Sequence, residues 1–340
     1  MPRTGGWRRR GNKRRGFRYY DALGREITDL DKLARIEKLR VPPAWKDVWI
    51  SRSASAKLQA TGIDAAGRKQ YLYHADFRAA QEQAKYDKLI RFAEKLPDLR
   101  AAMALHMDRD ALERERVCAI ALRLINLGWF RVGSERYARE SSTYGITTLR
   151  KNHVTVRGRR IALSFPGKHR VWVRTTVVDS ELADALRELM KLPGGRRLFR
   201  YRNGEGQLVN MTNARLNEYI AEHMGEDFTA KDFRTWGGTL LAAIAFAERG
   251  PAETPTAAKR IVAAVIRSVA ERLGNTPAVC RASYVSPAVV EQYLDGRTIE
   301  DFRPRHLRVV GARDIALDVE EQATLSLLRS WRIRRAREAA

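Results

Sequence analysis

Cysteine is nearly absent from this chain of 340 residues, with Cys118 and Cys280 its only two. Two thiols so far apart give neither a disulfide framework nor a Cys-x-x-Cys metal site, and their scarcity fits a reducing compartment, so the cytoplasm is the expected location. Long apolar runs are missing as well. Nowhere do about 18 apolar residues follow one another, which excludes a membrane-spanning helix, and the first 20 residues lack the apolar segment of a secretory signal. There is no GxxxxGK[ST] loop, no HExxH and no aspartate cluster suited to a two-metal nuclease. Nucleotide hydrolysis and metal-assisted cleavage therefore lack their usual parts, and any chemistry falls to side chains, with neither metal nor cofactor expected.

Acid is also in short supply. Against 64 Lys+Arg the chain sets 40 Asp+Glu, a net charge of +24. That is far more than solubility requires, and it implies a polyanionic partner, with nucleic acid ahead of anionic lipid. Residues 1–20 hold eight of these cations (Arg3, Arg8, Arg9, Arg10, Lys13, Arg14, Arg15, Arg18) and no acid. They read as a mobile, disordered basic arm that adds non-specific affinity.

Residues 21–73 are short apolar patches broken by Gly and Pro, among them Val48-Trp49-Ile50 and the alternating Gln70-Tyr71-Leu72-Tyr73, a pattern that predicts a small β-rich unit. Helical periodicity starts near Asp76 and runs to Leu96, where Pro97-Asp98 is expected to interrupt it and mark a domain boundary. The chain then divides into the arm (1–20), a β-rich domain (21–95) and a larger domain (96–340), two folded domains as the length suggests. The larger domain reads as helices over 109–127, 212–224, 230–248 and 257–273, with Gly250 and Gly274 as stops. Within it, residues 153–178 alternate as strands do, with turns at Gly158 and Pro166-Gly167. This predicts a three-stranded meander with Lys168 at the tip of its second hairpin. The fold class is α+β, a small β-rich N-terminal domain followed by a mainly α-helical one carrying that meander.

Cleaving a phosphodiester with side chains alone takes a nucleophile, cations for the non-bridging oxygens and an acid for the leaving alkoxide. Four local sequences offer these: Trp129-Phe130-Arg131-Val132-Gly133, Pro166-Gly167-Lys168, Lys231-Asp232-Phe233-Arg234-Thr235-Trp236-Gly237, and Gly274-Asn275-Thr276-Pro277 running to Arg281-Ala282-Ser283-Tyr284. Singly each is weak, since an arginine is usually a solvated surface charge and a tyrosine usually a packing residue.

In this order the four motifs resemble those of type IB DNA topoisomerases of the short bacterial and poxvirus kind. In the first domain Gly67-Arg68-Lys69-Gln70-Tyr71-Leu72-Tyr73 resembles that family's DNA-contacting strand. The resemblance implies that Arg131, Lys168 and Arg234 are catalytic and Tyr284 the nucleophile of a catalytic domain, and that Arg68, Lys69, Gln70, Tyr71 and Tyr73 contact duplex DNA, with Lys231 an assisting cation. The enzyme would act as a monomer closing as a clamp around DNA, in the bacterial nucleoid.

Physical chemistry agrees with these roles. A phenol of pKa near 10 attacks phosphorus only when cations surround its developing charge. Guanidinium forks suit two phosphate oxygens, and Lys168 offers a compact proton donor. Arg234 falls in the first turn of a helix that Thr229 and Asp232 cap as a capping box, so the positive helix end adds to its field. Where the family often has histidine this chain has Asn275, which can donate a hydrogen bond but carries no charge. A turn role for Asn275 after Gly274 is the alternative. Two rival functions are a tyrosine recombinase and a DNA-binding relative without catalysis. A recombinase places histidine three residues before the second arginine, where this chain has Lys231.

Overall fold

The computed structural model describes residues 5–303 and 315–339. The chain separates into two compact units, Met1–Tyr86 and Asp87–Ala340.

In the first unit, strands β1 (Trp7–Asn12), β2 (Gly16–Tyr20), β3 (Lys46–Ile50), β4 (Leu58–Ile63) and β5 (Lys69–Tyr73) form an antiparallel sheet in the order β2-β1-β3-β4-β5. Helix α1 (Leu30–Lys38), capped by Asp29, drives Ile36 into a core of Trp7, Ile27, Val48, Ile50 and Ala60. The arm expected over residues 1–20 is therefore corrected from Trp7 onward: it is a two-stranded ribbon. Charge counting missed the aromatic residues interleaved with the cations. Trp7 is buried and Tyr19 packs on the core. Arg9 stacks 4.2 Å over Phe17 and donates to the carbonyls of Val41, Pro42 and Trp45.

Helix α2 (Ala75–Met107) leads from one unit into the other. It passes through Pro97 without ending, contrary to the interruption expected there. Proline in a helix interior costs about 3 kcal/mol, but Phe92, Ala93, Leu96 and Leu99 around it are fully buried, and each large apolar side chain returns about 1.5–3 kcal/mol. Burial wins.

The second unit continues with α3 (Arg114–Gly128), α4 (Glu135–Glu140), β6 (Val154–Arg157), β7 (Arg160–Pro166), β8 (Trp172–Val178), α5 (Ser180–Lys191), β9 (Arg200–Arg202), β10 (Leu208–Asn210), α6 (Asn213–Met224), α7 (Ala230–Arg249), α8 (Pro255–Leu273), α9 (Pro277–Ser283), α10 (Pro287–Leu294) and α11 (Val319–Ala339). The meander forms as expected, β6-β7-β8, with Ile161, Leu163 and Phe165 turned inward. Helix α3 starts later than expected, at Arg114, because residues 108–113 form the link from α2. The mixed α+β class holds, with the five-stranded sheet in the first unit and a mainly helical body, carrying the small β6-β7-β8 and β9-β10 sheets, in the second. No helix among the described residues is long and apolar enough to cross a membrane.

Candidate active site

Four of the five expected catalytic residues come together around the C-terminal end of α8. Arg131 follows α3, whose C-cap Trp129 takes a left-handed conformation (φ 50°) that turns the chain away from the helix. The segment is then pinned by Ile146 N–H to Arg131 O (2.9 Å) and Thr147 N–H to Val132 O (2.7 Å). Arg234 stands near the start of α7, where Asp232 accepts from Thr229 N–H at 2.8 Å, the reciprocal bond of the capping box, and from Lys88 Nζ at 2.9 Å.

Both guanidinium groups are held by carbonyl oxygens. Arg131 Nη2 donates to Gly274 O (2.9 Å) and to Asn275 Oδ1 (2.6 Å). Arg234 donates through Nη1 to Trp129 O (2.5 Å) and through Nη2 to Leu273 O (2.7 Å). The last carbonyls of a helix carry its negative dipole end, so α8 supplies what two neighbouring cations, Arg131 half-buried and Arg234 buried, need. Burial, then Arg234 beside it, pulls the Arg131 guanidinium down to about 10. It still carries its proton at neutral pH. Burial also lowers Arg234, which is only 5% exposed and whose Nε is buried without a partner. Between them the pair keeps donors to offer an anion.

Tyr284 lies between the short helices α9 and α10, capped by Thr276 and Ser286, each followed by proline. Its ring sits 5.0 Å from the Arg234 guanidinium carbon. Its backbone rests on α7: Thr239 Oγ1 donates to Tyr284 O (3.3 Å) and accepts from Ser286 N–H (3.1 Å), while a Cβ built on Gly238 would lie 2.6 Å from Tyr284 O. Only glycine lets the tyrosine segment approach α7 so closely.

Asn275 is placed by the turn after α8. Gly274 takes the left-handed conformation (φ 61°), and Asn275 N–H bonds Ala270 O at 2.8 Å. Those backbone features close the turn with any residue at 275. The side chain is spent otherwise: its oxygen accepts from Arg131, as it must because a guanidinium has only donors, and its nitrogen donates to Leu273 O at 3.3 Å.

Lys168 is exposed on the 3-10 turn between β7 and β8, where His169 and Arg170 both have φ 60°. Beside the arginines lies a cleft of about 690 Å³ lined by Trp129, Arg131, Arg234, Arg272, Trp172 and Arg174, among others. Gly167 lines it, whereas Lys168 and Tyr284 do not. Lys231, on the first turn of α7, is exposed.

In the first unit Lys69, Gln70, Tyr71 and Tyr73 form β5 at the sheet edge, with Arg68 just before it. Tyr71 is half exposed, stacks on Tyr73 at 6.2 Å and has Lys69 5.9 Å from its ring. Arg68 pairs with Asp64 at 2.8 Å, and Gln70 Nε2 donates to the same carboxylate. The backbone and side chain of Arg68 hold Asp64 at about 2.

Sequence reasoning missed the support. Gly238 and Thr239 under Tyr284, the Trp129 carbonyl on Arg234, and Gly237, where a Cβ would meet the Trp129 ring at 2.2 Å, were not expected. The signal was available: two adjacent glycines inside a helix weaken it unless something must come close.

Residues 74–302 match the family model of the eukaryotic DNA topoisomerase I catalytic core, and residues 16–64 match that of the bacterial DNA topoisomerase IB N-terminal domain. The chain is 36% identical over 282 residues to a DNA topoisomerase 1B of Acanthamoeba polyphaga mimivirus, covering 81% of this chain and 83% of that protein. It is 22% identical over 266 residues to DNA topoisomerase I of monkeypox virus, covering 76% and 81%. With both units matched and the basic cluster in place, the chain belongs to the type IB DNA topoisomerases, isomerases that act on DNA.

Proposed function

We propose that Tyr284 is the nucleophile of this topoisomerase and that Arg131, Arg234, Lys168 and Asn275 complete its catalytic set. The observation that carries this reading is the cluster at the end of α8, where Arg234 lies against the Tyr284 ring and Arg131 is held by Gly274 and Asn275.

The phenolic oxygen attacks a backbone phosphorus and loses its proton as the new P–O bond forms. The bond to the 5′-oxygen breaks, leaving a 3′-phosphotyrosyl ester and a 5′-hydroxyl. Arg131 and Arg234 hold the charge on the non-bridging oxygens. Two guanidinium groups already desolvated and oriented stabilise that charge without reorganising at the moment of reaction. Lys168, at the hairpin tip, gives the leaving oxygen its proton. Asn275 fixes Arg131 and offers its amide N–H to a phosphate oxygen, and Lys231 assists as an outlying cation. The ester conserves the energy of the broken bond, so the 5′-hydroxyl can reseal the strand, after rotation has released supercoils, without ATP or metal.

Duplex DNA is the substrate, gripped by a monomer that closes on it as a clamp, with Arg68 and Lys69 on phosphates and Gln70, Tyr71 and Tyr73 near base edges or sugars. The cell compartment is the cytoplasm, at the bacterial nucleoid.

Relaxation of a supercoiled plasmid in EDTA without ATP is the first test. A recombinase would require paired specific sites and leave the plasmid supercoiled. Tyr284→Phe is the second: it binds labelled duplex but leaves no DNA attached to denatured protein. An adduct formed by that variant would overturn the assignment.

A further inference from the structure

The first unit carries a second strongly charged feature, the β1–β2 hairpin. In an antiparallel sheet, directly opposed residues share a face, so the register sorts its side chains. Arg8 opposes Tyr20, and Arg10 opposes Arg18. The same register carries Arg8 onto Trp49, Trp49 onto Thr61 and Thr61 onto Tyr71. Trp7, by contrast, is carried through Ile50 and Ala60 to Leu72, the face that covers the core. Arg8, Arg10 and Arg18 thus stand on the face of the sheet away from that core, the face of Lys69 and Tyr71 on the far edge strand, with Trp49 and Thr61 buried between the two exposed edges.

The arrangement is costly for the protein alone. Arg10 directly faces Arg18 across the ladder, where like charges destabilise, with Arg8 two residues along, and all three are exposed. Among the described residues their paired carboxylate is Glu26, 3.7 Å from Arg18. Arg10 stacks 4.8 Å over Tyr20, which fixes its position on the face. The ribbon is firmly mounted, because Arg9, on the opposite face, is bonded to the carbonyls of Val41, Pro42 and Trp45. A firmly mounted row of three guanidinium groups facing one carboxylate keeps a net positive charge that fits a row of phosphates.

We propose that Arg8, Arg10 and Arg18, on the same face of the sheet as Lys69 and Tyr71 but at its opposite edge, grip the phosphate backbone of the duplex that β5 engages. This rests on the reading that β5 lies near the base edges of the duplex, which a strand reaches in the major groove. With strands about 4.8 Å apart, β1 and β2 lie about 14 and 19 Å from β5. The major groove is about 12 Å wide. Cations at that distance fall beyond the groove rim, on phosphates and not on base edges, so the contact is independent of sequence.

The test is binding of the full chain to short duplexes of several sequences, titrated over salt. For Arg8→Gln/Arg10→Gln/Arg18→Gln the slope of log K against log salt flattens by about 0.9 per lost contact, between two and three in all, equally for every sequence. Covalent adduct formation at saturating DNA is unchanged, since none of the three is in the catalytic set. An unaltered slope overturns the proposal, as does a loss confined to one sequence. Arg9→Gln is the control for folding: it lowers melting temperature with little change in slope. If the triple variant melts early, Arg10→Gln and Arg18→Gln singly each flatten the slope by about 0.9. The β5 reading fails separately, through unaltered binding of Arg68→Ala/Lys69→Ala.

Discussion

Gly238→Ala probes how closely the tyrosine segment must approach α7. A Cβ at this position would lie 2.6 Å from Tyr284 O, 3.0 Å from Tyr284 Cβ and 3.2 Å from Leu273 Cδ1. Leucine can turn aside, but a backbone carbonyl cannot. Reaching an ordinary contact of 3.4 Å requires Tyr284 to retreat by about 0.8 Å, and the Thr239 bonds to Tyr284 O and Ser286 N stretch with it. A displacement near 1 Å at a reacting group can cost about a hundredfold in rate. Stability moves less, because alanine in place of glycine inside a helix regains roughly 0.5–1 kcal/mol that offsets part of the strain. The expected outcome is a single-turnover rate of covalent adduct formation lowered by on the order of a hundredfold, with duplex affinity within about twofold of the parent and melting temperature little changed. Adduct formation at the parent rate would refute the argument that this contact positions the nucleophile.

Lys168→Ala is expected to slow cleavage by on the order of a hundredfold or more, the usual size of a general-acid effect. A substrate with sulfur at the leaving position, which departs without a proton, restores much of the loss, and absence of rescue assigns the lysine another role. Asn275→Ala removes the acceptor that holds Arg131 at 2.6 Å and should cost about 1–3 kcal/mol in the transition state with melting temperature unchanged. Asn275→His keeps activity, since a neutral imidazole accepts from Arg131 through one nitrogen and donates through the other; an inactive histidine variant counts against that role. Alanine at Arg68 and Lys69 flattens the salt dependence of binding by about one unit per lost phosphate contact, and an unchanged slope would make β5 an ordinary exposed edge.

Much of this protein is legible in its sequence because the relevant signals are local. The meander alternates with period two and turns at Gly158 and Pro166-Gly167, so Lys168 could be placed at a hairpin tip from residues 153–178 alone. Helix stops at Gly250 and Gly274, and the Thr229–Asp232 box, likewise depend on neighbours a few residues apart. The motif order that identifies the family is sequence information as well. Tertiary structure decided what depends on distant partners. Pro97 stays inside α2 because buried neighbours repay its cost, and the basic N-terminal stretch is a ribbon because Trp7 reaches a core built from residues 27–60. The two arginines, 103 positions apart by their numbering, can sit together only because the carbonyls ending α8 accept from both. Gly238 matters because Tyr284, far along the chain, returns to lie against it. Sequence names the reacting groups, since their chemistry belongs to residue type; the fold supplies the distances, since those arise from contacts between segments that no local pattern connects.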